Sequence, residues 1–245
     1  MEPAGVENPT DEVGSIIDLD ELITSTTNKN KLSFCLVGKL YLDKPWKPFY
    51  LIEVMKKSWR PKGQVEGREW GKGLILFRFE NEEDRNWVIH NQPWHYENGL
   101  FAVRKIREDE QPSEVNVNHA TIWTRVDDVP AACMNSTYAT LLANQIGQLE
   151  ILDNSTEGLF GKFLRFKVQV DLTKPLVRGI TVKLKGKLCV LPLKYESLPT
   201  YCFCCGTIGH FFRNCSEFDK NDCQDTSDMR YGPWLKASPF KCTTS

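Results

Sequence analysis

The segment YCFCCGTIGHFFRNC, residues 201 to 215, constrains the fold most, because four of the chain's nine cysteines and one of its four histidines fall within it. Three thiolates and one imidazole can complete the closed tetrahedral shell of a structural Zn²⁺. An odd number of cysteines argues against a disulfide framework. Chance spacing, or a redox pair of Cys204 with Cys205, is the alternative. The residues that fit the spacing C-x2-C-x4-H-x4-C, which excludes Cys204, are Cys202, Cys205, His210 and Cys215.

The residues between these ligands also have physical roles. Gly206 and Gly209 stand where so short a loop must turn sharply, and glycine adopts a positive φ without steric cost. A unit of this size cannot bury all of its aromatic rings, so we expect some of them to face solvent. Exposed rings beside a guanidinium group can stack on unpaired bases. The predicted nucleic-acid contacts of the segment are Phe203, Phe211, Phe212 and Arg213.

The apolar pattern of residues 31–109 predicts the order strand, helix, strand, strand, helix, strand. Gly71-Lys72-Gly73 indicates a hairpin turn between the two middle strands, and Asn81 indicates the N-cap of the second helix. This is the order of ferredoxin-like domains, on which the RRM is built. We therefore predict an α+β protein whose first domain is ferredoxin-like and RRM-like.

When residues 35–40 and 72–79 are aligned with the two signature strands of an RRM, leucines take the place of its base-stacking rings. Leu36, Leu74 and Leu76 fall at the exposed sheet positions, and leucine has no π face. Base stacking on this sheet is thus the less favoured prediction. An exposed leucine patch more often marks a protein contact, either with residues 117–198 or with a second copy of the chain. Three tryptophans are expected in the core: Trp59, Trp87 and Trp94.

Residues 117–198 predict a second, smaller antiparallel α+β module, with one helix from about Ser136 to Ile146 and a hairpin turn at Lys185-Gly186-Lys187. FLRFKVQVDL, from Phe163, alternates between apolar and polar residues, as expected of a strand covered on one face. From Lys162 to Lys194 the chain carries nine basic residues against one acidic residue. A solvated strand face and a phosphate-binding track are both open, and the adjacent cysteine cluster favours the track. Its candidate residues are Arg165, Lys167, Lys183, Lys185 and Lys187.

The two ends of the chain differ from its body. Residues 1–30 carry seven acidic groups and one lysine, which predicts an acidic, disordered tail. Residues 200–217 form the predicted zinc unit, and residues 218–245 a polar C-terminal tail. The sequence has no signal-peptide pattern and no apolar run near the ~18 residues of a membrane helix. We therefore expect an intracellular protein, nuclear or cytoplasmic, without a membrane partner.

The pattern C-F-x-C-G-x2-G-H-x4-C resembles the zinc knuckle of retroviral and retrotransposon nucleocapsid (Gag) proteins, which bind single-stranded nucleic acid. A longer resemblance, over about residues 32 to 240, is to a plant domain of unknown function. That domain precedes a CCHC knuckle in LINE-type, non-LTR retroelement proteins and their derivatives. The segments that carry the resemblance are LVGKL, KKSWRP, LFRFENEEDRNWV, QPW, EQPSEV, YESLPTYCFCCGTIGH and YGPWLKAS.

The resemblance implies a Gag-like protein that binds single-stranded RNA or DNA through a Zn²⁺-dependent knuckle. Self-association through the first domain is a further expectation. The alternative is a protein-interaction or self-association module of a domesticated retroelement gene, without direct nucleic-acid binding. An enzyme is not expected, because the sequence has no G-x-S-x-G, phosphate-loop or H-E-x-x-H pattern, and a four-ligand zinc has no open position for substrate.

Overall fold

The computed structural model of the chain describes residues 34–107, 110, 115–153, 162–218 and 229–238. Within them the chain is α+β, with two five-stranded antiparallel sheets and three α-helices. The predicted acidic tail of residues 1–30 lies outside the described residues, as do residues 219–228 and 239–245 of the predicted C-terminal tail. No helix in the described part of the chain is both long and apolar enough to cross a membrane.

The first domain follows the predicted order of elements, with one short strand added. Its strands lie in the order β2-β3-β1-β5-β4, and all neighbours are antiparallel. The added strand, β4, has three residues and pairs only with β5 among the described strands. The elements are β1 (Cys35–Tyr41), α1 (Pro48–Trp59), β2 (Val65–Gly71), β3 (Leu74–Phe79), α2 (Glu82–His90), β4 (Trp94–Tyr96) and β5 (Gly99–Lys105).

The local signals for the hairpin and for the second helix are confirmed. Gly71, Lys72 and Gly73 have φ angles of 88°, 51° and 74°, and they connect β2 to β3. The Asn81 side chain accepts a hydrogen bond from the backbone N–H of Asp84, which caps the first turn of α2. Both features depend on residues close together in sequence, so the sequence alone could indicate them.

One face of the first sheet packs against both helices. Trp59, at the end of α1, contacts Phe77 and Phe101 with ring centroids 4.6 and 6.5 Å away. Leu36 is fully buried in this cluster, so the prediction that its side chain would be exposed is wrong. Side chains alternate along a strand, and Leu36 and Leu40 of β1 point to the helix side while Val37 points to the other.

The opposite face of the first sheet packs with the second module. Leu74 is buried and Leu76 is half-buried in one continuous apolar cluster, which extends to Phe166 and Tyr195 of the second module. The sequence left open whether residues 117–198 or a second copy would meet this face. In the described structure, residues of the second module of the same chain pack against this face. The other first-domain members of the cluster are Cys35, Val37, Leu100, Ala102 and Ile106.

The second module is an antiparallel sheet with one helix, as predicted, and the sheet has five strands. Its strands lie in the order β7-β8-β6-β10-β9. The apolar residues of β8 at positions 164, 166, 168 and 170 are buried, which confirms the alternation seen in the sequence. Strand β7 was not predicted. The elements are β6 (His119–Asp127), α3 (Ser136–Ala143), β7 (Gln148–Leu152), β8 (Phe163–Asp171), β9 (Gly179–Leu184) and β10 (Lys187–Tyr195).

The core prediction holds for Trp59 and is wrong for Trp87. Trp59 exposes 1% of its surface, whereas Trp87 exposes 45%. Trp87 lies beside the buried stripe of α2, which is formed by Asp84, Arg85 and Val88, and its ring centroid is 5.5 Å from that of Trp94. Trp94 is half-buried and donates from Nε1 to the Val88 carbonyl at 2.8 Å.

We expect Trp59→Ala to lower the free energy of unfolding by about 3–5 kcal/mol, because it leaves a cavity among four aromatic rings. Trp87→Ala is the matched control, and its loss should be clearly smaller because much of its ring is already hydrated. Urea denaturation of zinc-saturated protein, followed by circular dichroism, measures both values. Equal losses would contradict this account of the core.

Candidate metal centre

The cysteine segment folds as a tight loop after β10. An antiparallel bridge joins Tyr201 to Ile208, and the backbone N–H of Gly206 donates to the Cys202 carbonyl at 3.0 Å. Gly206 and Gly209 have φ angles of 79° and 111°, which confirms the predicted need for glycine at both positions. The loop therefore brings Cys202, Cys205 and His210 close together.

The four predicted ligands converge on one point. The donor atoms of Cys202, Cys205, His210 and Cys215 all lie within 4.8 Å of one another. The Sγ atom of Cys205 is 3.5 Å from Nε2 of His210. In a tetrahedral zinc shell such atoms are separated by about 3.3–3.8 Å, given the usual Zn–S and Zn–N lengths. Donor set and spacing therefore fit Zn²⁺, and Cys204 is outside the group.

Backbone amides support the first ligand. The N–H groups of Cys204 and Cys205 point to Sγ of Cys202, at 3.4 and 3.5 Å. Such donors stabilise a ligating thiolate and fix its direction. Cys204 thus contributes through its backbone, while its thiol is not part of the shell.

The thiol pKa values differ across the group. Burial raises the pKa of Cys202 to about 12. At Cys215 burial acts in the same direction, but hydrogen bonds from the His210 side chain and the Glu217 backbone outweigh it and lower the pKa to about 7. Zinc binds the deprotonated thiolates, so binding displaces protons, and the affinity must fall as the pH falls.

The aromatic residues of the knuckle differ in exposure. Phe203 is half-buried, with its ring 5.1 Å from Tyr201 and stacked on Phe212 at 6.5 Å. Phe211 is exposed, as is Arg213, whose guanidinium lies 5.8 Å from the Phe212 ring. Of the three predicted phenylalanines, Phe211 therefore offers the most accessible ring, while Phe203 and Phe212 serve partly as packing.

A C-terminal segment, residues 229–238, packs against the knuckle. The N–H of Tyr231 donates to the Phe203 carbonyl at 3.0 Å, and the Tyr201 hydroxyl donates to the Gly232 carbonyl at 2.6 Å. The Tyr231 ring lies so close to Gly206 that a Cβ there would fall 2.2 Å from it. The sequence signal for this contact was the apolar residues at positions 229, 231, 234 and 235 in the tail, of which Met229, Tyr231 and Leu235 are buried.

Two residues of the predicted phosphate track are occupied by internal contacts, which corrects that prediction. Arg165 pairs with Asp153 and Glu196 at 2.7 and 2.8 Å, and its guanidinium lies 3.7 Å from the Trp123 ring centroid. Lys167 is buried, and its Nζ donates to the His90 carbonyl at the end of α2. The polar face of β8 packs inside the protein, so neither cation is presented to solvent.

The three lysines of the β9–β10 hairpin, unlike Arg165 and Lys167, face solvent. Lys183, Lys185 and Lys187 are all exposed. Lys185 and Gly186 form the turn, with φ angles of 48° and 81°, which confirms the predicted hairpin. The cations left for a phosphate chain on this module thus include a cluster at the tip of one hairpin.

We expect Cys205→Ser to weaken zinc binding by more than the ~10- to 100-fold that loss of an outer-shell partner costs, because it removes a ligand. Cys204→Ser is the control, since it changes the neighbouring thiol and leaves the backbone donor in place. Competition with a chromogenic chelator gives both affinities. An equal loss in the two variants would contradict the ligand assignment.

We expect Glu196→Gln to lower the free energy of unfolding by about 3–5 kcal/mol at neutral pH, because two largely buried arginines, Arg125 and Arg165, would lose their shared carboxylate. Burial opposes ionisation of Glu196, but both arginines outweigh it and lower its pKa. The wild-type advantage is therefore complete above the ordinary glutamate pKa and shrinks as the pH falls toward the lowered value.

Urea denaturation of both proteins across a pH series measures this difference. Glu69→Gln, at an exposed position of β2, serves as the control and should leave stability nearly unchanged. A gap between wild type and Glu196→Gln that widened on acidification would show that the carboxylate does not act through its charge.

Comparison with known protein families agrees with this organisation. Residues 28–114 match the model of a domain of unknown function, DUF4283. Residues 170–217 match the model named Zinc knuckle, which also includes the β9–β10 hairpin. No curated protein matched the chain. The chain thus contains a DUF4283 domain followed by a zinc knuckle of the CCHC type.

Proposed function

We propose that the protein binds single-stranded nucleic acid, RNA or DNA, through its zinc-loaded knuckle, and that it is a Gag-like, retroelement-derived protein without enzymatic activity. The observation that carries this proposal is the converged Cys3His group with an exposed ring and guanidinium, Phe211 and Arg213, on its surface. Zinc knuckles are a common module for single-stranded RNA.

The residues have separable roles in this proposal. Zn²⁺, when bound, supplies a closed structural shell that holds the loop in shape. Phe211 offers a face on which a base can stack, and Arg213 supplies a nearby cation. The hairpin lysines, at positions 183, 185 and 187, contact phosphates, and such contacts make binding depend on salt.

Two further assignments accompany the function. The element order of the first domain and the central strand order β2-β3-β1-β5 support a ferredoxin-like, RRM-like fold. The sequence resemblance supports a plant, non-LTR retroelement origin and an intracellular location, nuclear or cytoplasmic. If this domain is RRM-like, its usual base-binding face is the one that packs with the second module.

A protein-interaction function is the second candidate. It is favoured by Leu188 and Val190, which are among the most exposed large apolar residues. Both lie on β10, which forms a hairpin with the edge strand β9. An exposed apolar edge can pair with a second copy of the chain or with another protein. Such a complex would depend little on salt, unlike contacts to phosphates.

We expect the zinc-loaded protein to retard single-stranded RNA or DNA in a gel-shift assay, with an affinity that falls as salt rises. Cys202→Ser or added chelator should abolish most of the binding, because the knuckle loses its shape. Cys189→Ser is the control, since Cys189 is an exposed thiol outside the metal group.

Two outcomes would count against this function. Binding that is unchanged in Cys202→Ser would remove the knuckle from the mechanism. A salt-insensitive complex between protein chains, together with no retardation of single strands by the zinc-loaded protein, would favour the protein-interaction candidate instead.

A further inference from the structure

The loop between β1 and α1 lies directly against the knuckle. Oδ2 of Asp43 accepts hydrogen bonds from the Phe211 backbone N–H at 3.2 Å and from Nδ2 of Asn214 at 2.7 Å. On the same side, Gly209 approaches β1 so closely that a Cβ there would lie 3.4 Å from Cβ of Tyr41. The first domain therefore seats the part of the knuckle that carries its exposed ring.

These hydrogen bonds hold the one acidic side chain of the loop, Asp43, against the knuckle. Oδ2 of Asp43 is engaged by the knuckle, and Oδ1 is buried. Lys44 and Lys47, by contrast, are exposed. The loop, LDKPWKPFY, thus presents its two lysines to solvent, while its one carboxylate is directed at the knuckle.

The loop also brings a cation to the knuckle and leads into two exposed rings. The Nζ atom of Lys44 lies 5.7 Å from the centroid of the Phe211 ring. A few residues further along the chain, Phe49 and Tyr50 at the start of α1 expose 69% and 56% of their surfaces, with ring centroids 5.7 Å apart. Lysines interleaved with exposed rings are what a single strand requires, since phosphates take the cations and bases take the rings.

A protein partner fits this surface less well. Exposed rings on a helix are often protein contacts, but here two exposed lysines, Lys44 and Lys47, precede the rings. The surface also adjoins a knuckle whose exposed residues include the charged Arg213 and Glu217. Charged groups are depleted from the centre of protein interfaces, whereas they are regular in a strand-binding groove.

We infer that the β1–α1 loop and the first turn of α1, residues 44–50, extend the knuckle's binding surface and hold the same single strand as the knuckle. This inference rests on the proposed function and deepens it. Phe211 stacks on one base, Lys44 and Lys47 contact the phosphates that follow, and Phe49 and Tyr50 receive further bases. The DUF4283 domain then takes part in binding through this end of its fold, not through its sheet.

The test uses the zinc-loaded full chain and fluorescence anisotropy with labelled RNA and DNA strands of about four and about twelve nucleotides, the range of known single-strand sites. A short strand on the knuckle can reach the neighbouring Lys44, whereas only a long strand is expected to extend to the first turn of α1. Lys44→Ala with Lys47→Ala should therefore weaken the long strand more than the short one, and should reduce the long strand's slope of log affinity against log salt by about 1.4, from about 0.7 for each phosphate.

The ring variant should act in the same way without changing the salt slope. Phe49→Ala with Tyr50→Ala is expected to weaken the long strand about 5- to 100-fold, from the cost of one or more lost stacks. The controls are Lys57→Ala, at an exposed position near the other end of α1, and Tyr138→Ala on α3, which removes a ring that is also exposed (43%, against 56% for Tyr50). Zinc content and thermal unfolding confirm that each variant is folded.

The outcomes separate this inference from the function on which it rests. If the wild-type protein binds neither strand, the proposed function fails. If it binds both strands, and Cys202→Ser abolishes binding while the loop variants match their controls, the function stands and the extended surface is overturned. A loss of affinity in both loop variants that is larger for the long strand than for the short strand, and larger than in their controls, supports it. RNA and DNA arms that differ would identify the preferred strand.

Discussion

The apolar cluster shared by the two sheets is the contact on which the rest of the arrangement depends. It joins the open face of the first sheet to the core of the second module, so the two units are fixed relative to one another. Hydrogen bonds at the border of this cluster fix the relative orientation of the two units. The Tyr41 hydroxyl donates to the Val117 carbonyl at 2.8 Å, and the Thr200 N–H donates to the Asn98 carbonyl at 2.7 Å. The second of these contacts sets where the chain enters the knuckle.

The knuckle is consequently a docked unit with neighbours on several sides. Asp43 holds it from the first domain, the Leu176 N–H donates to Gly206 from the second module, and Tyr231 packs on it from the C-terminal segment. Zinc-binding energy in finger peptides is about 10–16 kcal/mol at neutral pH. In this chain that energy is linked to contacts with the neighbouring segments, because the same loop that carries the ligands makes them.

The distribution of charge follows from the same packing. The polar face of β8 is turned toward Trp123 and Glu196, so Arg165 stabilises the second module and is not a phosphate ligand. Lys167 likewise joins the second module to the end of α2. The exposed cations that remain near the knuckle include Arg213 and the lysines of the β1–α1 loop. A nearly neutral chain can in this way present a basic, ring-bearing strip.

The sequence by itself determined the features that depend on short separations. The zinc spacing, the glycines of its turns, the Asn81 cap and the two hairpins were all readable, because residues within a few positions define each of them. Most strands and the first helix followed from apolar periodicity, and capping and charge signals indicated the second helix. The short strands β4 and β7 did not, since each depends on pairing with a longer neighbour.

Tertiary structure alone decided where both sides of an element are covered. Alternation showed that Leu36 and Val37 face opposite ways, but not that both faces of β1 are buried, because burial depends on a module more than 80 residues away. The same cause removed Arg165 and Lys167 from the surface and placed Asp43 under the knuckle. The local spacing of the ligands determined the chemistry of the site. Long-range packing determined which residues surround the site, and hence the surface that it can offer to a strand.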